Sequence, residues 1–265
     1  MSLSKNKTKE LTIATLPTAP ATAVRLRFFQ PSIRPVNMTS DWLCTPWGRC
    51  RITGRLGQRH ADLIDACMHD AIDTCTIDGR LKLLIDPYTI RQKVGGGKQF
   101  SYSGTKRLFR EIMSCLIEWN SKRGSSGYGH IIDSIHFADV KRRNPLTGDV
   151  RELWSVSFGS AWTKLIYDDI ALRYDPADII NLRSGITQAV VRLLLSHNKK
   201  NMVNGIRIST IFDWLLVPHG TTWRNYMRNL RSDSDEIEAI GFKIDGDFIF
   251  PINAKNKTKR VADAR

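Results

Sequence analysis

Acidic residues are scarce in this 265-residue chain: 26 Asp and Glu stand against 40 Lys and Arg, a formal charge of +14. That imbalance favours a polyanionic partner, nucleic acid first and an acidic membrane surface second. Long apolar runs are missing as well. The longest, Ala189 to Leu195, is interrupted by Arg192, so no membrane span is expected. The N-terminal segment carries no apolar core of the secretory kind. Cysteine is sparse and unpatterned: Cys44, Cys50, Cys67, Cys75 and Cys115 form an odd set without a disulfide framework, as expected for reduced thiols in a cytoplasmic protein.

Catalytic signatures are also lacking. No cysteine or histidine pairs stand at metal-ligand spacing. The stretch "GGGKQF" has Gln99 where a phosphate loop places Ser or Thr, and Gln92 where it places its first Gly. No Gly-x-Ser-x-Gly elbow occurs. His130 and His136 make no His-x-His pair, which removes the ligands of a metal-dependent strand-nicking enzyme. Isolated His60, His69, His197 and His219 read as surface or capping residues. The expectation is a non-enzyme that needs no cofactor.

What is present is organisation. Residues 1–48, rich in Thr, Pro, Ala and Lys, read as a flexible arm in which "VRLRFF" (24–29) is a strand or docking segment. Residues 253–265 form a polar, basic tail, and "KNKTK" occurs in both tails. Between them one order of elements appears twice. The first copy (49–160) has a helix over 58–72 and an apolar strand over 81–85. A helix start at Asp86-Pro87 follows, then a helix over 103–120 capped by Ser103, and two strands over 130–140 and 151–158. The second copy (161–252) has a helix over 184–197, a strand over 206–208, and a helix "TIFDWLL" capped by Ser209. The helix "TTWRNYMRNLRSD" comes next, and then a hairpin turning at Asp245-Gly246. Helix, strand, helix, helix, hairpin is winged-helix order. The fold class expected is therefore α+β, two tandem winged-helix domains with basic tails.

The third helix of each copy divides into a core stripe and a basic face. Trp223, Tyr226, Met227 and Leu230 recur at helical spacing, and so do Leu108, Phe109, Ile112, Cys115, Leu116 and Trp119. Away from those stripes lie Thr221, Thr222, Arg224, Asn225, Arg228 and Arg231 in one helix, and Ser103, Thr105, Lys106, Arg107 and Arg110 in the other. A winged helix places this helix in the major groove, where arginine and asparagine bond guanine and adenine bidentately and discriminate by about 1–3 kcal/mol per good pair. Thr221, Asn225, Arg228, Lys106, Arg107 and Arg110 are the readout candidates; Arg224 and Arg231 lie at the core edge, within reach of phosphate. The basic hairpin loop Lys141-Arg142-Arg143-Asn144 suits phosphates or a neighbouring minor groove. The second hairpin tip, with Asp245 and Asp247, repels phosphate.

From about residue 50 to 252 the chain resembles the iteron-binding plasmid replication initiators of the TrfA type. The resemblance rests on the order of elements and on "RITGRLGQRHADLIDAC", "LLIDPYTIRQKVG", "YSGTKRLFREIMSCLIEW", "SFGSAWTKLIYDDIALRYDPADIINLRSGITQAVVRLLLSH" and "WRNYMRNLRSDSDEIEAIGF". It implies a bacterial, plasmid- or nucleoid-associated protein that binds direct repeats at an origin and helps open an AT-rich region. It further implies recruitment of host initiator and helicase, and a homodimer in equilibrium with monomer. A sliding clamp is not carried over, because "VRLRFF" is at best a degenerate form of the Gln-Leu-x-Leu-Phe motif. Two other readings stay open: a winged-helix regulator of a mobile element that does not initiate replication, and a structural or partition adaptor that binds protein.

Overall fold

The structure, a computed structural model, describes residues 11–38, 41–96, 98–143, 148 and 150–252. The expected basic tail at 253–265, both copies of "KNKTK" and Asn144 lie outside the described residues. The chain is mixed α+β. In order the elements are β1 (Ala19–Pro20), α1 (Ala21–Arg25), β2 (Leu43–Thr45), β3 (Gly48–Thr53), α2 (Gln58–His69), β4 (Asp73–Ile77), β5 (Arg80–Ile85) and α3 (Pro87–Val94). Then follow α4 (Tyr102–Ser114), β6 (Leu116–Ser121), β7 (Ser126–Gly129), β8 (Ile132–Arg143), β9 (Val150–Phe158), α5 (Ser160–Asp168), β10 (Ala171–Leu172) and α6 (Pro176–Ile180). The chain closes with α7 (Gly185–Leu195), β11 (Ile206–Arg207), α8 (Ile208–Trp214), α9 (Thr221–Ser232), α10 (Ser234–Ile240), β12 (Phe242–Asp245) and β13 (Phe248–Pro251). No helix among the described residues is long and apolar enough to cross a membrane.

Two hydrophobic cores organise these elements. The first gathers β3, β5, β6, β8, β9, α2 to α5 and part of the arm around Phe28, Phe109, Trp154 and Phe158. Its two antiparallel sheets run β2-β3-β6-β7 and β4-β5-β9-β8. Strand β5 shows why: Leu81, Leu83 and Ile85 alternate inward while Arg80 points out. The second core packs α7, α8, α9 and α10 on a small sheet of order β11-β13-β12, around Ile211, Phe212, Phe242 and Ile249. Helix α5 contributes Trp162, Leu165 and Ile166 to the first core, so the division between cores falls after Asp168 rather than at residue 160.

The helix start at Asp86-Pro87 is as expected. Asp86 accepts the Tyr88 amide at 2.8 Å and starts α3 with Pro87 in its first turn. Ser184, the first residue of the expected helix over 184–197, is instead the cap of α7 and accepts Thr187 N at 3.2 Å, and the last hairpin turns through Gly246 and Asp247, one residue beyond the expected Asp245-Gly246, because Asp245 pairs with Phe248. Other expectations need correction. The arm is not a free tail up to residue 48: Leu26 and Phe28 are fully buried, and Phe28 sits 5.6 Å from Trp119 and 6.1 Å from Trp162, ring to ring. β1 pairs with β10, and β2 with β3. "VRLRFF" is therefore a docking segment, and truncating a buried aromatic such as Phe28 costs about 3–5 kcal/mol.

The helix expected over 103–120 stops at Ser114. Its stripe Cys115, Leu116, Trp119 mimics a helix, but Cys115 is extended (φ −85, ψ 135) and Leu116 begins β6. Pairing with β3, where Cys50 faces Trp119, overrides the local pattern, because burying Ile117 and Trp119 on one sheet face requires period two. Gly127 on β7 makes room for this: a Cβ there would stand 2.3 Å from the Trp119 ring. The cap of α4 is Ser101, which accepts Gly104 N at 3.0 Å, and Ser103 is exposed in the first turn. Ser209 lies inside α8, whose N-cap position is Arg207.

The two cores are joined through α2 and α7. On α2, Gln58, Asp62 and Asp65 recur at i, i+4 and i+7, a polar stripe buried against α7. Arg192, the charge that breaks the apolar run, meets all three. It donates to Gln58 Oε1 at 2.7 Å, Asp62 Oδ1 at 2.8 Å and Asp65 Oδ2 at 3.0 Å. Tyr174 OH donates to Asp65 at 2.7 Å. Burial raises the pKa of the two carboxyls against the pull of Arg192. Burial would lower that of Arg192, but Asp65 and Asp62 together raise it.

Candidate nucleic-acid interface

Helix α9 sits on its core by one face. Leu230 is fully buried, and Trp223, Tyr226 and Met227 are half-buried. Phe212 of α8 meets the Trp223 ring edge-on at 4.9 Å and Tyr226 at 6.4 Å, which fixes the rotation of α9 about its axis. Thr221, Thr222, Arg224, Asn225, Arg228 and Arg231 are all exposed, as the spacing predicts. Arg224 and Arg228 pair with no carboxylate among the described residues. Arg231 reaches Asp247 at 3.3 Å, an exposed pair of little energetic weight. Trp223, Arg224, Met227, Arg228 and Arg231 line a surface groove of about 510 Å³. His219 stacks on Trp223 at 5.0 Å with an interplanar angle of 19°, extending the aromatic edge beside the N-terminus of α9. Its sequence context held no signal for that stacking.

Helix α4 differs. Thr105 is buried, with its hydroxyl donating to Ser101 O at 3.1 Å, so it cannot contact a ligand and leaves the candidate set. Lys106 is half-buried in a ring of aromatics. Its Nζ lies 4.3 Å from the Phe137 centroid, 4.5 Å from Tyr102 and 5.9 Å from Trp154. It ties α4 to β8 rather than facing outward, which corrects its assignment to readout. Ser103, Arg107 and Arg110 remain exposed. Arg107 stands 3.8 Å from Glu111 one turn along. Glu111 accepts His60 Nε2 at 2.8 Å and also Arg55, while His60 Nδ1 accepts Gly57 N at 3.0 Å. His60 is thus buried and doubly bonded, and of the expected surface or capping roles it has the capping one: its ring accepts the N-cap amide of Gly57 and closes the start of α2.

The first hairpin carries the ladder β8–β9 out to Arg143, which faces Val150. Lys141 and Arg143 are exposed, and Arg143 Nε donates to Gly148 O at 3.3 Å. Lys141 is opposite Glu152, which offsets part of its charge, and the Arg142 position is opposite Arg151. The Arg142 side chain lies outside the described residues. The other tip holds exposed Asp245 and Asp247.

Among the described residues, no group of three or more His, Cys, Asp or Glu is placed to hold a metal ion. Burial pushes the Cys50 thiol up to about 12 and also raises Cys67 and Cys115, while Cys75 is exposed on β4. The chain matches no family model, no curated protein and no solved structure.

Proposed function

We propose that this chain is a sequence-specific double-stranded DNA-binding protein, built of two tandem winged helices, that acts at direct repeats as a plasmid replication initiator. The observation that carries the DNA-binding part is the outer face of α9. Four of its exposed residues (Arg224, Asn225, Arg228 and Arg231) bear the donors that read base edges and phosphates, with an apolar face anchoring them to Phe212. The charge of +14 supports a polyanionic partner. Elements α7 to β13, with α8 and α9 packed on a three-stranded sheet that ends in a hairpin, support the winged-helix reading. So do β5, α3, α4, β8 and β9 in the first half. Initiation, with host initiator and helicase as partners and a dimer–monomer equilibrium, rests on the resemblance of the sequence to iteron-binding initiators.

DNase footprinting of the purified chain over its own genetic neighbourhood, at two salt concentrations, tests the reading. Evenly spaced protected direct repeats beside an AT-rich stretch are expected, with protection weakening as salt rises. A single inverted repeat over a promoter would instead make the protein a regulator. Absence of any footprint, with salt-insensitive capture of a protein partner, would make it an adaptor.

A further inference from the structure

Away from both basic helices, a cavity of about 620 Å³ opens where the arm, the first half and the second half meet. Its walls include Arg25 of α1, Arg123 of the β6–β7 turn, Arg173 just after β10, Trp47 and His197. No Asp or Glu lines it. Arg25 is the unusual member. It is only 9% exposed, and its guanidinium donates only to neutral acceptors, Ser196 Oγ at 3.3 Å and the Ser196 carbonyl. A buried guanidinium without a carboxylate partner is costly. Burial lowers its pKa first and the charge of Arg123 second, while Asp169 raises it in part. The carbonyl that Arg25 meets lies at the C-terminal end of α7, where the helix dipole supplies about half a negative charge. That offsets a fraction of one guanidinium and leaves Arg123 and Arg173 uncompensated. Arg123 forms no ion pair among the described residues, and Arg173 donates only to the carbonyls of Ala14 (3.2 Å) and Thr15 (2.7 Å).

Beside these cations stands an aromatic wall. Trp47 is held edge-on against His197 (5.4 Å) and Trp214 (5.0 Å), and His197 stacks on Trp214 at 5.6 Å with an interplanar angle of 8°. The three rings brace one another, so Trp47 is fixed before any ligand arrives. The volume lies in the range of small-molecule sites, roughly 300–1,000 Å³. We propose that this cavity binds a nucleotide of nucleoside-diphosphate size, its phosphates held by Arg25, Arg123 and Arg173 and its base against Trp47. The site is separate from the DNA-reading face of α9 and does not depend on it.

Isothermal titration of the full chain with ADP and with pyrophosphate tests this. One ADP per chain is expected, bound tighter than pyrophosphate because only ADP engages Trp47. Arg123→Gln, at an exposed position, should weaken ADP at least tenfold, and Arg173→Gln should act in the same direction. Arg228→Ala should leave ADP binding unchanged, which separates this site from polyanion binding on α9. Circular dichroism of each variant confirms that it remains folded. No heat from ADP up to about 1 mM, the weakest binding worth about 4 kcal/mol, overturns the proposal. So does equal affinity for pyrophosphate, or binding that neither Arg123→Gln nor Arg173→Gln alters.

Discussion

In α4 the lysine nearest the helix start holds its ammonium 4.3 Å from Phe137 and 4.5 Å from Tyr102. In α9 the first arginine, Arg224, is exposed, with no carboxylate partner among the described residues. The two helices share a sequence pattern, an apolar stripe beside a basic row, yet they use their cations differently. The cause lies outside each helix. The long ribbon β8–β9 runs past α4 and supplies Phe137 and Trp154, whereas the short hairpin β12–β13 offers α9 only the exposed carboxylate of Asp247. A basic residue on a helix is a readout candidate only when no neighbouring element closes over it. By that measure α9 presents the fuller candidate surface, and α4 keeps Arg107, Arg110 and Ser103 as exposed candidates.

The largest expected effect concerns the joint that holds these two helices in one molecule. Arg192→Ala leaves Asp62 and Asp65 buried without a counter-charge and should cost about 3–5 kcal/mol in urea unfolding. A loss below about 1 kcal/mol would show that water enters between α2 and α7 and that the joint is not closed. The DNA-binding comparison comes next. Arg228→Ala should weaken cognate-site binding by about 1–3 kcal/mol and relax base preference at one position, whereas Arg110→Ala should weaken all sequences alike. If Arg228→Ala also acts uniformly, α9 holds phosphate and does not read bases.

A smaller effect follows from acid. Burial lowers the pKa of His60, with hydrogen bonding to Glu111 opposing it, so the folded value lies below the ordinary 6.5. For a group with a depressed folded pKa the stabilisation is complete above the unfolded value and is lost as pH falls below it. Burial raises the Glu111 carboxyl, but bonds from His60 and Arg55 outweigh that and hold it under 4.5, which gives a second loss in the same direction at lower pH. Melting temperature should therefore fall in two steps as pH drops below 6.5 and then through 4.5. His60→Gln should flatten the first step; an unchanged first step would assign it to His197, whose pKa burial also lowers.

How much of this was legible in the sequence depended on where each determinant sits. The Asp86 cap and the outward row of α9 are local, set within four residues, and the chain order alone reveals them. Strand β6 was hidden, because Ile112, Cys115, Leu116 and Trp119 satisfy helical spacing and only the partner strand β3 forces the other period. The docking of Leu26 and Phe28 was half visible: an apolar patch in a polar arm, with no local sign of its receptor. For the joint, the signs were present and separate. Arg192 in an apolar run and the Gln58, Asp62, Asp65 stripe lie more than 120 residues apart, and nothing local connects them.

The smallest expected effect is the most direct test of the contrast between α4 and α9. Lys106→Met keeps an unbranched chain among Tyr102, Phe137 and Trp154, and sulfur packs well against rings, so stability should change by less than about 1 kcal/mol. If Lys106 stays in its aromatic ring when DNA binds, it releases no phosphate counterion. The slope of log affinity against log salt should then match that of the unaltered chain. Arg107→Ala, one position along and exposed, should reduce that slope by about one unit. Measuring the slope for both variants on one DNA duplex cancels differences in site and buffer. A drop of about one for Lys106→Met would mean that the lysine leaves the rings for a phosphate, and that α4, β8 and β9, which meet at Trp154, act as a resting place for a contact residue, not as its permanent partner.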